Sequence, residues 1–180
     1  MRRGRLYFVT GDDPTSGLLG LADGGIERFN LKTMVRSPWA FELTMPNGLA
    51  FLPNRDAVVS RDLGQGTGII RVPHDDPSHP QANWAEVAES NGMAVDSTDR
   101  WLCTVQTFAA RGRVYRVRIN HPSRIDVVAA VGDKALDDMT IDRDDRLYIA
   151  AGKTGEIVRV NPDVLALSAC SRAACRTLRR

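Results

Sequence analysis

Three residues with side-chain oxygens recur at matched places along the chain: Asn47, Asn91 and Asp137, separated by 44 and 46 residues. Each opens a similar run: Pro46-Asn47-Gly48-Leu49-Ala50-Phe51, Ser90-Asn91-Gly92-Met93-Ala94-Val95-Asp96 and Leu136-Asp137-Asp138-Met139-Thr140-Ile141-Asp142. Two amide carbonyls and a carboxylate are oxygen ligands of the kind a hard divalent cation takes, calcium above all. A mixed oxygen site also admits zinc, magnesium or manganese. Arg61, Asp62, Gln106 and Thr107 follow the next apolar run in two of the repeats, at places from which a substrate can be held. Asn-Gly and Asp-Asp also make turns, and polar residues also populate exposed loops. On spacing alone both readings stand.

The repeat supplies the elements that must carry these residues. After each opening run comes a polar turn: Pro53-Asn54-Arg55-Asp56, Ser97-Thr98-Asp99-Arg100 and Arg143-Asp144-Asp145-Arg146. A second apolar run follows, Ala57 to Ser60, Trp101 to Thr104 and Leu147 to Ala150. The third, Gly68 to Val72, Arg113 to Val117 and Glu156 to Val160, alternates apolar and basic residues with the period of two of a half-buried strand. A fourth run, Ile125 to Ala130, closes one unit, with Trp84 to Ala88 as its weaker counterpart. Four short antiparallel strands in roughly 45 residues describe a propeller blade, so the fold class is all-β and β-propeller, with about three and a half blades present. A sandwich has no reason to repeat such a motif at near-constant spacing. Helices fail on period, because no segment keeps apolar residues at three-and-four spacing past two turns.

The first blade is entered late. Arg5 to Val9 reads as its second strand, Gly25 to Phe29 as its third and Trp39 to Leu43 as its fourth. At the other end the pattern stops near Asp163. The expected organisation is a partial propeller over 1–163 and a non-propeller tail over 164–180, rich in Ala, Ser, Cys and Arg. A closed ring needs at least four blades, so the chain is expected to be a piece of a longer protein, with ring closure by oligomerisation as the alternative.

Composition bounds the partners. With 24 basic and 22 acidic residues the net charge is +2, and many basic residues sit at the termini. No basic stripe interleaved with aromatics marks a nucleic-acid surface. No apolar run approaches the roughly 18 to 20 residues that span a bilayer, and Gly11-Asp12-Asp13 ends the N-terminal apolar stretch too soon for a signal peptide. As it stands the chain is expected in the cytoplasm; a longer parent bearing a leader would be secreted. Cys103, Cys170 and Cys175 lack partners at zinc-site spacing. His74, His79 and His121 lie beside Pro or Asp in loops, as surface residues do. A small molecule is the expected partner.

The three opening runs, each with its polar turn and following strand, resemble blades of the senescence-marker/regucalcin/gluconolactonase family over roughly residues 5 to 163. That resemblance implies a six-bladed propeller with one divalent metal in its channel, hydrolysing sugar lactones and related cyclic esters. It implies Asn91 as amide ligand, Asp137 as ligand and general base, and Asn47 near metal or substrate, with Arg61 and Gln106 as further substrate-binding candidates. The family's early Glu has no counterpart, since Glu27 and Glu42 fall in other strands, and its Asp-Gly is here Asp137-Asp138. Fewer anionic ligands mean weaker calcium binding. NHL-type propellers carry similar strand entries, and they imply the other class of function: a scaffold that binds a ligand or protein without chemistry.

Overall fold

The computed structural model describes residues 4–162, so the tail expected over 164–180 lies outside the described residues. The fold is all-β and of propeller type, built from four antiparallel meander sheets in two compact units.

The first unit, residues 1–88, carries two sheets. One is ordered β1 (Arg5–Thr10), β2 (Gly24–Asn30), β3 (Val35–Leu43). The other is ordered β4 (Leu49–Phe51), β5 (Ala57–Arg61), β6 (Gly68–Val72), β7 (Gln81–Ala85). Ile26, Trp39, Ala40 and Leu43 from the first sheet and Ala57, Val59 and Val72 from the second form one buried cluster. Tyr7 meets the rings of Trp39 and Phe51 edge-on at 5.3 and 5.1 Å, the arrangement aromatic quadrupoles favour.

The second unit, from Glu89 onward, repeats the plan. Its sheets are ordered β8 (Ser90–Val95), β9 (Trp101–Gln106), β10 (Arg113–Arg118), β11 (His121–Ala130), and β12 (Leu136–Ile141), β13 (Leu147–Ala151), β14 (Glu156–Val160). Cys103, Val105 and Val114 pack with Leu136, Leu147 and Ile149 in its core.

The first sheet has three strands, β1 to β3, which contain the three runs expected there. Outer strands run differently from expectation. The fourth strand of the second blade starts at Gln81, not Trp84, with a register shift against β6 between Ile69 and Arg71. β11 starts at His121, four residues before the apolar run, because a shift at Val117/Arg118 pairs Arg118 with His121. A one-residue slip in a strand exchanges its faces, so bulges defeat a period-of-two reading. A short helix, α1 (Pro14–Leu19), fills the β1–β2 connection and was not anticipated. Its signals are local: the Asp13 carboxylate accepts from the amides of Thr15 and Ser16, Pro14 opens the first turn, and Gly20 closes it at φ 70.

The repeat extends to the backbone. Met45, Glu89 and Ala135 adopt left-handed φ of 42, 56 and 48°, each two residues before Asn47, Asn91 or Asp137. Arg55, Asp99 and Asp145 do the same at 78, 57 and 59° in the turn after each inner strand. L-residues rarely adopt this region, so its recurrence at fixed repeat positions marks one turn design used three times.

Candidate functional site

The left-handed residues decide what makes the strand-entry turns. The chain bends at Met45, Glu89 and Ala135. Asn91 and Asp137 lie inside strands β8 and β12, and Asn47 two residues before β4. None of the three has positive φ, so the turn does not require their residue types.

In the second unit, the start of β8 is polar and closed. Ser90 and Thr104, both fully buried, share a 2.7 Å hydroxyl–hydroxyl hydrogen bond between β8 and β9. Asn91 beside them is 3% exposed, deep burial for an amide side chain. Gly92 then lets β8 approach β12: a Cβ there would sit 2.6 Å from the Met139 nitrogen and 2.7 Å from the Asp137 carbonyl oxygen. Glycine at this position serves close approach of two backbones. Asp137 and Asp138 are exposed on β12, and the Asp138 carboxylate accepts from the Met139 amide at 2.8 Å. Thr107 ties the same corner together, donating its hydroxyl to the Leu136 carbonyl at 2.8 Å and its amide to the Glu89 carbonyl at 3.1 Å. The half-buried Gln106 accepts from the Tyr115 hydroxyl at 3.3 Å, a contact directed along its own sheet.

In the first unit the equivalent corner holds Asn47, half-buried. Its amide nitrogen donates to the Ser60 carbonyl at 3.0 Å and its side chain to the Asp62 carboxylate at 3.4 Å. Ser60, fully buried, accepts from the Gly48 amide at 2.8 Å. Asp62 is 3% exposed, as deeply buried as Asn91. Arg61 points elsewhere: its guanidinium donates to the carbonyls of Leu63 at 3.2 Å and Gly17 at 2.8 Å. The structure therefore joins Asn47 to Asp62 and sets Arg61 apart from them. Sequence reasoning placed Asp62 beside Arg61 without choosing it; its signal is a carboxylate closing an otherwise buried strand.

Asn91 and Asp62 are both buried, and both side chains have partners within the fold. Among the described residues no group of three or more His, Cys, Asp and Glu side chains gathers as a metal cluster.

At the far ends of the inner strands, carboxylates are committed to structure. Burial opposes charge on Asp142. The amide and guanidinium of Arg146 and the amide of Asp144 outweigh it, holding the carboxyl at about 2. Burial likewise opposes charge on Asp56, and the His74 amide, Arg71 and Asn54 outweigh it to keep its pKa below the usual carboxylate range. His74 is also no plain surface residue: it is half-buried, its ring 6.2 Å from that of Trp39.

No family model matches the chain, and no curated protein matches it. Solved structures do. A chain of the nidogen/laminin complex aligns with a TM-score of 0.64 at 19% identity, over 79% of this chain and 53% of its own length. Virginiamycin B lyase from Staphylococcus aureus aligns at 0.60 and 10% identity, over 89% and 50%. A gluconolactonase from Xanthomonas campestris aligns at 0.58 and 18% identity, over 77% and 55%. The likeness is one of fold, and the chain spans about half the length of these structures. No helix among the described residues is long and apolar enough to cross a membrane.

Proposed function

We propose that this chain carries the metal-binding strand entries of a lactonase-type propeller hydrolase acting on a lactone or related cyclic ester. The observation that supports this reading is the displacement of the turn-making residues to Met45, Glu89 and Ala135. It leaves Asn47, Asn91 and Asp137 as polar groups that the fold does not need for its turns. Asn91 and Asp137 would hold the cation, calcium by preference and zinc or magnesium by similar chemistry. When bound, it supplies Lewis acidity toward an ester carbonyl.

The chain's own residues supply the rest. The exposed carboxylate of Asp137 can accept a proton from an attacking water, while Asn91 is fixed by burial on β8. In the second unit Gln106, oriented by Tyr115, is the group for substrate hydroxyls, and Asn47, hydrogen-bonded to Asp62, is the candidate group of the first unit. Arg61 stays outside this set.

Titration calorimetry with calcium and with zinc tests the reading. A stoichiometric signal lost in Asp137→Ala and in Asn91→Ala is the expected result, and it is to be followed by a lactone hydrolysis screen. Folded protein without any metal signal would sink the hydrolase and leave the non-catalytic scaffold, a role equally at home on propellers.

A further inference from the structure

Arg61 lies in a cavity of its own. About 250 Å³ of open space lies in the first unit between the end of β3, the loop after β5 and the strands β6 and β7. Ile70, Pro80 and Ala82, none of them buried, give it apolar walls, and Glu42, Arg61 and Asn83 are its functional polar groups. An apolar pocket with few convergent polar groups is the usual form of a small-molecule site. This one lies below the roughly 300–1,000 Å³ of drug-sized pockets, so its ligand is small.

Three observations give the ligand its charge. The guanidinium of Arg61 is pinned by two carbonyls, Leu63 and Gly17, through Nε and Nη2. Nη1 has no hydrogen-bond partner among the described residues, and no carboxylate pairs with the group. It faces the glycine-rich rim, where a Cβ on Gly66 would lie 3.7 Å away. Burial pushes the Arg61 pKa below its ordinary value, so the site holds an incompletely compensated cation. A half-buried arginine held rigid with one edge free is pre-organised for a carboxylate, which it binds through short charge-assisted hydrogen bonds. The surrounding backbone is held in sparsely populated conformations: Glu42 at φ 59 and Asn83 at φ 55 both line the cavity. Such residues persist where the structure over-determines them and concentrate at ligand sites.

We propose that this cavity binds a small organic carboxylate, its carboxyl on Arg61 and its apolar chain against Ile70, Pro80 and Ala82. None of Asn47, Asn91 and Asp137 lines this cavity, and the proposal does not rest on the hydrolase reading. Glu42 in the same cavity weakens the anion, and so tunes affinity.

The experiment uses the full chain carrying Asp137→Ala, in chelator, so that metal and lactone chemistry play no part. Hexanoate and its neutral analogue hexanamide are titrated by amide-resolved NMR. Hexanoate is expected to bind about tenfold more tightly than hexanamide, the mark of a charge-assisted contact. It should perturb the amides of Gly66, Ile69 and Asn83. Glu42→Gln is expected to tighten hexanoate about two- to fivefold, the size of one exposed charge interaction. Arg61→Gln removes the preference for the acid. Because Arg61 also braces two loops, Ala82→Trp provides a second route: it fills the cavity from β7, and binding is lost while the dispersion of the spectrum is kept. Equal affinity for acid and amide, or perturbations that map away from this cavity, would overturn the proposal.

Discussion

At the scale of single residues, the carboxylates divide by partner. Asp142 is surrounded by donors from its own turn, which hold its carboxyl at about 2 against an ordinary 3.8. A group whose folded pKa is depressed stabilises the fold above its unfolded value, and that contribution is lost as pH falls through the folded value. Here the window runs from near 3.8 down to about 2. Asp142→Asn is therefore expected to lower the urea midpoint at pH 7, with the gap to wild type closing as the pH approaches 2. A gap as large at pH 2 as at pH 7 would show that the turn is held by geometry and not by charge. Asp137 is placed for the opposite use, exposed on β12. Asp137 opens and Asp142 closes the same run of the sequence, and only their surroundings separate a structural carboxylate from a candidate ligand.

At the scale of elements, what matters is how close two strands come. Gly92 sits where β8 meets the backbone of β12, and the atoms a side chain would meet cannot swing away as a flexible side chain could. Gly92→Ala is expected to cost about 1–3 kcal/mol, the usual effect of overpacking. Gly152→Ala provides the comparison, since its Cβ would meet only the Ala135 carbonyl oxygen at an ordinary 3.5 Å, and should stay within about 0.5 kcal/mol. Urea denaturation of the two variants decides the matter; similar losses would mean that the approach of β8 to β12 is looser than described. The inner three strands of each blade were legible because they are short, apolar and separated by polar turns. Outer strands were less so. β7 and β11 contain bulges, and their positions follow from pairing with β6 and β10, a property of two segments at once.

At the scale of the whole chain, metal binding becomes a stability measurement. A cation that binds the folded state alone raises stability with its logarithmic excess, about 2.7 kcal/mol at a hundredfold over the dissociation constant. Saturating calcium is expected to raise the melting temperature of the chain and to leave that of Asp137→Ala unchanged. A rise of equal size in both proteins would move the binding site away from β12. The chain spans about half the length of the solved propellers it aligns with, and among those a lyase, a gluconolactonase and a chain of a nidogen/laminin complex share one architecture. Fold likeness for this reason ranks below the metal titration in assigning chemistry.

The sequence by itself determined the fold class and the blade period. Repeats of about 45 residues leave the same polar and apolar marks in each copy, and strand alternation is a local property of the chain. It also located Asn47, Asn91 and Asp137 at equivalent positions. Only the tertiary structure decided that the turns before them are made two residues earlier, that Asp62 rather than Arg61 joins Asn47, and that Arg61 faces a cavity instead. The reason is physical. A residue's place in a repeat is written in its spacing, whereas the direction of its side chain depends on backbone angles and on neighbours supplied by other elements, as Gly17 of α1 is for Arg61.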